Sequence, residues 1–371
     1  MTMSDLQSPL TMAATTRTTT TTLADTTVCD DPTDLVESTG PESPTLADVA
    51  HVAGVSLATA SRVLNNSAGV SLRAREQVRD AVTHLGYVRR RAARATPARK
   101  ARAVAAVICA NNTKLFSDPF FARVISGATE ELAAHDVPLM VVPITEERLS
   151  LVEPTLHSGH YSGVVLVGAP DRHSLTVSLP AAGVPVTLVG RPMHPTRASY
   201  VDVDNRGGAR LAVEYLVKQG RKNIATIAGP PNMAVGADRL AGYRDSIAKA
   251  GLCEMPVAYG DFSQASAVHA MWRLLDQRPA LDAVFVASDI MATGALHALR
   301  RAGRRVPDDV AVIGFDDLPL CQHTNPPLTT VRQPTEEMGM IAARRMLAVL
   351  NGDEDEQDPV LPTILIARES A

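Results

Sequence analysis

The chain has 371 residues, of which 45% are hydrophobic and 20% charged. That composition suits two or three globular folding units and excludes collagen-like or wholly low-complexity architecture. Four cysteines (Cys29, Cys109, Cys253 and Cys321) lie far apart without a CxxC pair, which argues against a disulfide framework or zinc site and for reduced thiols.

No apolar run reaches the ~18 residues of a membrane span. The N-terminus lacks the basic and apolar regions of a secretory signal, so the expectation is a cytoplasmic protein without membrane partners. The net charge of −4 is unevenly placed. Residues 1–44 carry −6, residues 45–104 carry +8 and the remainder −6. A basic island in an acidic chain is the footprint of a polyanion-binding module, although a solvated surface gives the same count.

Residues 1–44 are rich in Thr, Ser, Asp and Pro, with the run Thr18–Thr22. They sustain no period and read either as a disordered tail or as an extra segment from a misassigned start. At Thr45 the pattern changes. Thr45 is a candidate cap, followed by Leu46, Val49, Ala50 and Ala53 at helical spacing. Gly54 ends that helix. Ser56 caps a second, with Leu57, Ala60 and Leu64 expected inside. Ser71 caps a third, with Val78, Val82 and Leu85 inside. Two helices joined by a glycine-containing turn plus a support helix, within residues 45–87, predict a helix-turn-helix.

The outward face of the second helix then carries Ala58, Thr59, Arg62 and Asn65. Arg62 is suited to a bidentate pair with guanine, worth roughly 1–3 kcal/mol of discrimination. Ser56 and Ser61 suit phosphate contacts, which position without specifying. Residues 88–103 hold seven basic residues and little to bury, and read as a basic hinge interrupted by Pro97.

From Val104 short apolar runs recur: Val104–Ile108, Leu139–Val142, Gly163–Val167, Val184–Val189, Ile224–Ile227, Ala283–Val286 and Val310–Ile313. Helical stretches intervene, including Phe120–Ala134, Gly207–Lys218, Ala237–Ala250 and Met291–Ala302. The alternation predicts parallel sheets covered on both faces. Residues 104–371 are long for one open sheet, so two α/β lobes are expected. Asp353–Asp358 reads as a solvated loop before the last strand. Phosphate-loop, dinucleotide, nucleophile-elbow and HExxH motifs are absent. The reading is therefore no enzyme, no cofactor and no metal.

Several segments together resemble the lactose-repressor (LacI) family of transcriptional regulators. They are TLADVAHVAGVSLATASRVLNNSAGVSLRAREQVRDAVTHLGY (45–87), DPFFARVISGATEELA (118–133), VDNRGGARLAVEYLV (203–217), RLAGYRDS (239–246), VFVASDIMATGAL (284–296), VAVIGFDDLP (310–319) and PLTTVRQP (327–334). Order and spacing agree from about Thr45 to Ser370. The resemblance implies base and groove contacts for Leu57, Ala58 and Arg62. It also implies a hinge that enters the minor groove. There Arg90 stands where relatives carry Asn, Arg94 matches the family Arg, and Thr96 replaces a wedging Leu. Either extra arginines compensate through phosphate or narrow-groove contacts, or the segment is a plain linker.

The remainder is similar to the periplasmic sugar-binding fold, with a cleft between lobes. By that resemblance Phe120 and Phe121 face Phe262 of the opposite lobe as platforms for a ring, Arg239 donates to hydroxyls or a carboxylate, and Asp316 accepts. Ser288 and Asp289 complete the implied ligand set, with Asp289 alternatively capping the following helix. Core packing is the competing role for the aromatics, and an internal ion pair for Arg239 and Asp316. The apolar Met233 and Val235 argue against a purine, leaving a sugar or sugar-like effector. The implied function is a bacterial, nucleoid-associated homodimer on a palindromic operator in double-stranded DNA, probing a carbohydrate signal. Repression is the commoner sign in such a family, with induction, corepression and activation left open. A solute-binding protein would carry a secretion signal and no helix-turn-helix. The absence of a C-terminal heptad segment favours a dimer over a tetramer.

Overall fold

The computed structural model describes residues 46–64, 71–85, 103–353 and 358–371. They form two compact units, one before and one after the basic segment. The expected tail, the Thr45 cap, Asn65, Arg90, Arg94 and Thr96 lie outside the described residues.

The first unit comprises α1 (Leu46–Val52), α2 (Leu57–Leu64) and α3 (Leu72–Leu85). Gly54 adopts φ +61, the left-handed turn that lets the Val55 amide donate back to the Ala50 carbonyl at 3.1 Å. Ser56 Oγ accepts from the Thr59 amide at 3.2 Å and Ser71 Oγ from the Ala74 amide at 3.3 Å, so both serines cap as their positions predict. Val49, Ala50, Ala53, Ala60, Val63, Val78 and Ala81 form the core, with Val82 and Leu85 half-buried against it. One expectation is corrected: Leu57 is 54% exposed. The buried stripe of α2 runs through Ala60 and Val63, and the first position of so short a helix stays outside it.

The second unit has two lobes. The N-lobe sheet is built from β1 (Val104–Ile108), β2 (Leu139–Pro143), β3 (Gly163–Val167), β4 (Val186–Val189), β5 (Ser199–Val203) and β11 (Val360–Leu361), in the order β11-β5-β4-β3-β1-β2. The C-lobe sheet is built from β6 (Ile224–Ala228), β7 (Val257–Tyr259), β8 (Ala283–Val286), β9 (Ala311–Asp316), β10 (Thr329–Arg332) and β12 (Ile364–Ile366), in the order β12-β10-β9-β8-β6-β7. All pairings are parallel except β10 with β12.

The helices are α4 (Asn112–Ser117), α5 (Pro119–Ala133), α6 (Leu149–His157), α7 (Leu175–Ala181), α8 (Asn205–Lys218), α9 (Ala234–Lys249), α10 (Gln264–Gln277), α11 (Asp289–Arg301) and α12 (Thr335–Asn351). The central strands β1, β3, β6 and β8 are buried along their whole length, which is why they read as unbroken apolar runs. Each lobe buries an apolar cluster on both faces of its sheet.

The chain passes between the lobes after β5, after β10 and between β11 and β12. In the N-lobe α5 and α12 cross at two glycines. A Cβ on Gly127 would lie 1.9 Å from the Glu336 carbonyl oxygen, and one on Gly339 2.1 Å from that of Val124. Only hydrogen at both positions permits that approach.

Candidate functional site

In the first unit the face of α2 away from the core presents Leu57, Ala58 and Arg62, with Thr59 and Ser61 half-buried at its flank. Ala58 and Arg62 sit one turn apart on the same side. Ser56, exposed at the N-terminus, holds the Thr59 hydroxyl at 2.8 Å. A small residue near the helix start, one turn before a long forked donor in the last turn, makes a surface able to approach a groove closely and reach a base edge.

In the second unit a cavity of about 250 Å³ opens between the lobes, at the carboxyl ends of the strands of both sheets. Parallel α/β sheets concentrate ligand sites there. Phe120, Phe121, Arg239, Phe262, Ser288 and Asp316 all line it.

Arg239, on α9, is 3% exposed. Its Nε donates to Asn205 Oδ1 at 2.9 Å, and its Nη1 to the Ala287 carbonyl at 2.6 Å and to Asp316 Oδ1 at 3.4 Å. Its guanidinium carbon stands 3.6 Å from the centre of the Phe315 ring, a cation–π stack that fixes the plane of the fork. Burial lowers its pKa and raises that of Asp316 well above the carboxylate range, while each holds the other's charge. Asp316 also accepts from Gln333 Nε2 at 2.6 Å. The ion pair and the cavity wall are thus one object, so the internal pairing leaves Arg239 and Asp316 on the cavity lining.

Phe120 and Phe121 meet edge to face at 5.6 Å in the N-lobe wall. Phe262, at φ +68, follows β7 on the other side. Asp118 caps α5 through the Phe120 amide at 3.0 Å, and burial raises its pKa. Cys109 also borders the cavity. Burial pushes its thiol up to about 12, so it presents no thiolate there.

Asp289 departs from the implied ligand set. It does not border the cavity. Its carboxylate is fully buried, accepting from the Leu318 amide at 2.9 Å and the Thr330 hydroxyl at 2.6 Å. It is not the cap of α11 either: Ser288 is, through the Met291 amide at 3.2 Å. Ser288 is committed to that bond while its residue borders the cavity.

Direct contacts join the lobes around the opening. Arg191, after β4, forms a two-bond pair with Asp238 on α9 at 2.8 and 2.6 Å. The Asp171 amide donates to the Asn232 carbonyl at 2.7 Å. Lys114 Nζ donates to the Asp261 carbonyl at 3.0 Å. Arg123, paired within the N-lobe with Glu336 at 2.6 and 2.8 Å, reaches across to the Asp317 carbonyl at 3.4 Å.

Lys114, Asp118, Arg191, Asn205 and Gln333 are absent from the residue set read from the sequence. Asp118, Asn205 and Gln333 lie inside the quoted motifs DPFF, VDNR and VRQP, which gave a usable signal. Lys114 and Arg191 lie outside them. Among the described residues no cluster of His, Cys, Asp and Glu suits a metal, and no helix is long and apolar enough to cross a membrane.

Residues 45–90 match the bacterial regulatory protein lacI family, and residues 213–371 the periplasmic binding protein-like domain. The HTH-type transcriptional regulator CelR of Thermobifida fusca is 44% identical over 336 residues, 88% of this chain and 98% of the relative. The HTH-type transcriptional repressor CytR of Escherichia coli K12 is 32% identical, over 83% of this chain and 90% of the relative.

Among solved structures, a complex of the transcriptional regulator CelR with cellobiose superposes with TM-score 0.71 at 42% identity, covering 88% of this chain and all of that one. A lac repressor dimer bound to operator and the anti-inducer ONPF superposes with TM-score 0.67 at 26% identity, covering 89% and 99%. With helix-turn-helix, two-lobed domain and relatives agreeing along the described chain, the protein belongs to the lacI family of bacterial regulatory proteins and is a DNA-binding transcriptional regulator, not an enzyme.

Proposed function

We propose that the protein is a homodimeric repressor whose interlobe cleft takes a short neutral sugar of the cellobiose kind, and that the sugar changes its affinity for a palindromic operator. The buried Arg239–Asp316–Gln333 set in a cavity walled by Phe120, Phe121 and Phe262 carries the reading. Aromatic faces suit the C–H faces of pyranose rings, and a fixed donor–acceptor set suits vicinal hydroxyls. The relative solved with cellobiose supports the same class.

At the DNA, Arg62 reads a base edge, with Leu57 and Ala58 in the groove. Ser56, Thr59 and Ser61 lie beside the backbone. Asn65, Arg90, Arg94 and Thr96 are assigned to the same interface from sequence alone. A two-fold protein requires two equal half-sites.

The test is selection from random duplexes at physiological salt, followed by titration of the retained duplex with cellobiose, maltose, ribose and adenosine. The expected result is a palindrome whose binding responds to a disaccharide and is lost in Arg62→Ala. Sequence-blind binding, or a response to adenosine alone, would overturn the proposal.

A further inference from the structure

The first 44 residues precede the helix-turn-helix and lie outside the family match, which begins at residue 45. They carry seven acidic residues and one basic. Six of the acids, Asp25, Asp30, Asp31, Asp34, Glu37 and Glu42, fall in one stretch without lysine or arginine. Glu42 stands four residues before Leu46, where α1 begins.

The unit that follows offers the complementary charge. Arg62 on α2 and Arg73 and Arg79 on α3 are exposed, and none of the three forms an ion pair among the described residues. Reach does not limit their pairing with the acids. A chain spans at most about 3.5 Å per residue, so Glu42 reaches about 14 Å from Leu46 and Asp25 about 70 Å. α3, the longest helix of the unit, is about 21 Å long. Carboxylates and phosphates compete for the same guanidinium donors. Tethering makes the acidic stretch an intramolecular competitor, at an effective concentration on the order of millimolar.

We propose that residues 25–42 are an autoinhibitory segment: their carboxylates pair with the exposed arginines of the helix-turn-helix, Arg62 among them, and DNA must displace them. Every duplex displaces the same stretch, so affinity falls by one factor for operator and random sequence alike. The segment sets how tightly the protein holds DNA and leaves sequence preference to α2. The proposal rests on DNA binding alone and is independent of the effector.

Fluorescence anisotropy with a labelled random-sequence duplex tests this, at about 50 and about 200 mM salt. The full-length protein is compared with a full-length variant carrying Asp25→Asn, Asp30→Asn, Asp31→Asn, Asp34→Asn, Glu37→Gln and Glu42→Gln together. The variant should bind about tenfold more tightly at the lower salt, the combined effect of three weak exposed pairs. At the higher salt, stronger screening should reduce the gain to about threefold. A second variant makes the same change in net charge by neutralising six exposed acids of the second unit, Glu130, Asp136, Asp276, Glu337, Asp353 and Glu369. It should gain less than about twofold, because those charges are not tethered beside the helix-turn-helix. Unchanged DNA affinity in the first variant would overturn the proposal. So would a gain that ignores salt, or an equal gain in the second variant, which would make the effect one of net charge.

Discussion

Arg239→Met separates a merely nearby arginine from one that organises the cleft. Methionine retains apolar contact over Phe315 and removes every donor. The Ala287 carbonyl and the Asn205 amide oxygen lose their partner, and Asp316 keeps Gln333 and the Asp289 amide but loses its cation. An orphaned buried acceptor costs about 1–3 kcal/mol, and breaking a buried charge pair about 3–5 kcal/mol. These losses share one side chain and do not add. Asp316 also relieves part of the strain by taking a proton, as burial already favours. The expected net loss is about 3–4 kcal/mol. With a denaturant slope of about 2–3 kcal/mol/M, the urea midpoint falls by about 1–2 M. The sole tryptophan, Trp272, sits on α10 in the same lobe, so its fluorescence follows the unfolding of the affected part. Arg239→Lys restores a point charge without the fork and should fall between the two. A midpoint for Arg239→Met within about 0.3 M of wild type, with a normal sugar response, would refute the reasoning.

Three further perturbations probe other parts of the argument. Asp238→Ala removes the interlobe pair with Arg191; at its partial exposure the pair is worth about 1 kcal/mol. Sugar affinity should fall about fivefold with little change in the urea midpoint, and an unchanged affinity in calorimetry would dismiss the pair as a clasp. Asp289 is raised by burial to about 6, so the folded protein holds its proton more tightly than the unfolded chain. Its contribution is full below about pH 4, declines as pH rises to about 6, and is flat above. The stability difference between wild type and Asp289→Asn should therefore be larger at pH 4.5 than at pH 7, and a pH-independent difference contradicts the assignment. Gly339→Ala forces α5 and α12 apart, at about 1–3 kcal/mol; an unaltered melting temperature would show that the crossing yields freely.

Much of the fold was legible because its strongest signals are local. The unbroken apolar runs at Val104–Ile108 and Gly163–Val167 are central strands, and the serines at 56 and 71 cap their helices. The strands that sequence reading did not name are short or polar. β5 carries Ser199 and Asp202, β10 carries two threonines, and β11 and β12 have two and three residues. Their places come from pairing, not composition. Leu57 misled because its apolarity fits a core and its position at the helix start does not. Asp289 misled because an acid beside a cavity-lining serine looks available, whereas its two oxygens are taken by Leu318 and Thr330. Lys114 and Arg191 acquire meaning only when distant segments meet, which one-dimensional spacing does not reveal.

Those meetings bear on how an effector would act. A ligand shifts an equilibrium only by binding one state better than another. Phe120 and Phe121 belong to the N-lobe wall, whereas Arg239 and Asp316 belong to the C-lobe. A sugar that touches both sets is bound fully at only one interlobe angle. The Arg191–Asp238, Asp171–Asn232 and Lys114–Asp261 contacts favour that same angle without touching the sugar ring read by Arg239. Carrying a two-state equilibrium from 1:99 to 99:1 requires about 5.5 kcal/mol of differential affinity. A clasp worth about 1 kcal/mol moves the starting point about fivefold, and lowers by the same factor the sugar concentration needed to complete the shift. Under the proposed function, clasp residues set sensitivity while cleft residues set identity. Asp238→Ala should therefore displace the dose–response curve along the concentration axis and leave the ranking of sugars unchanged.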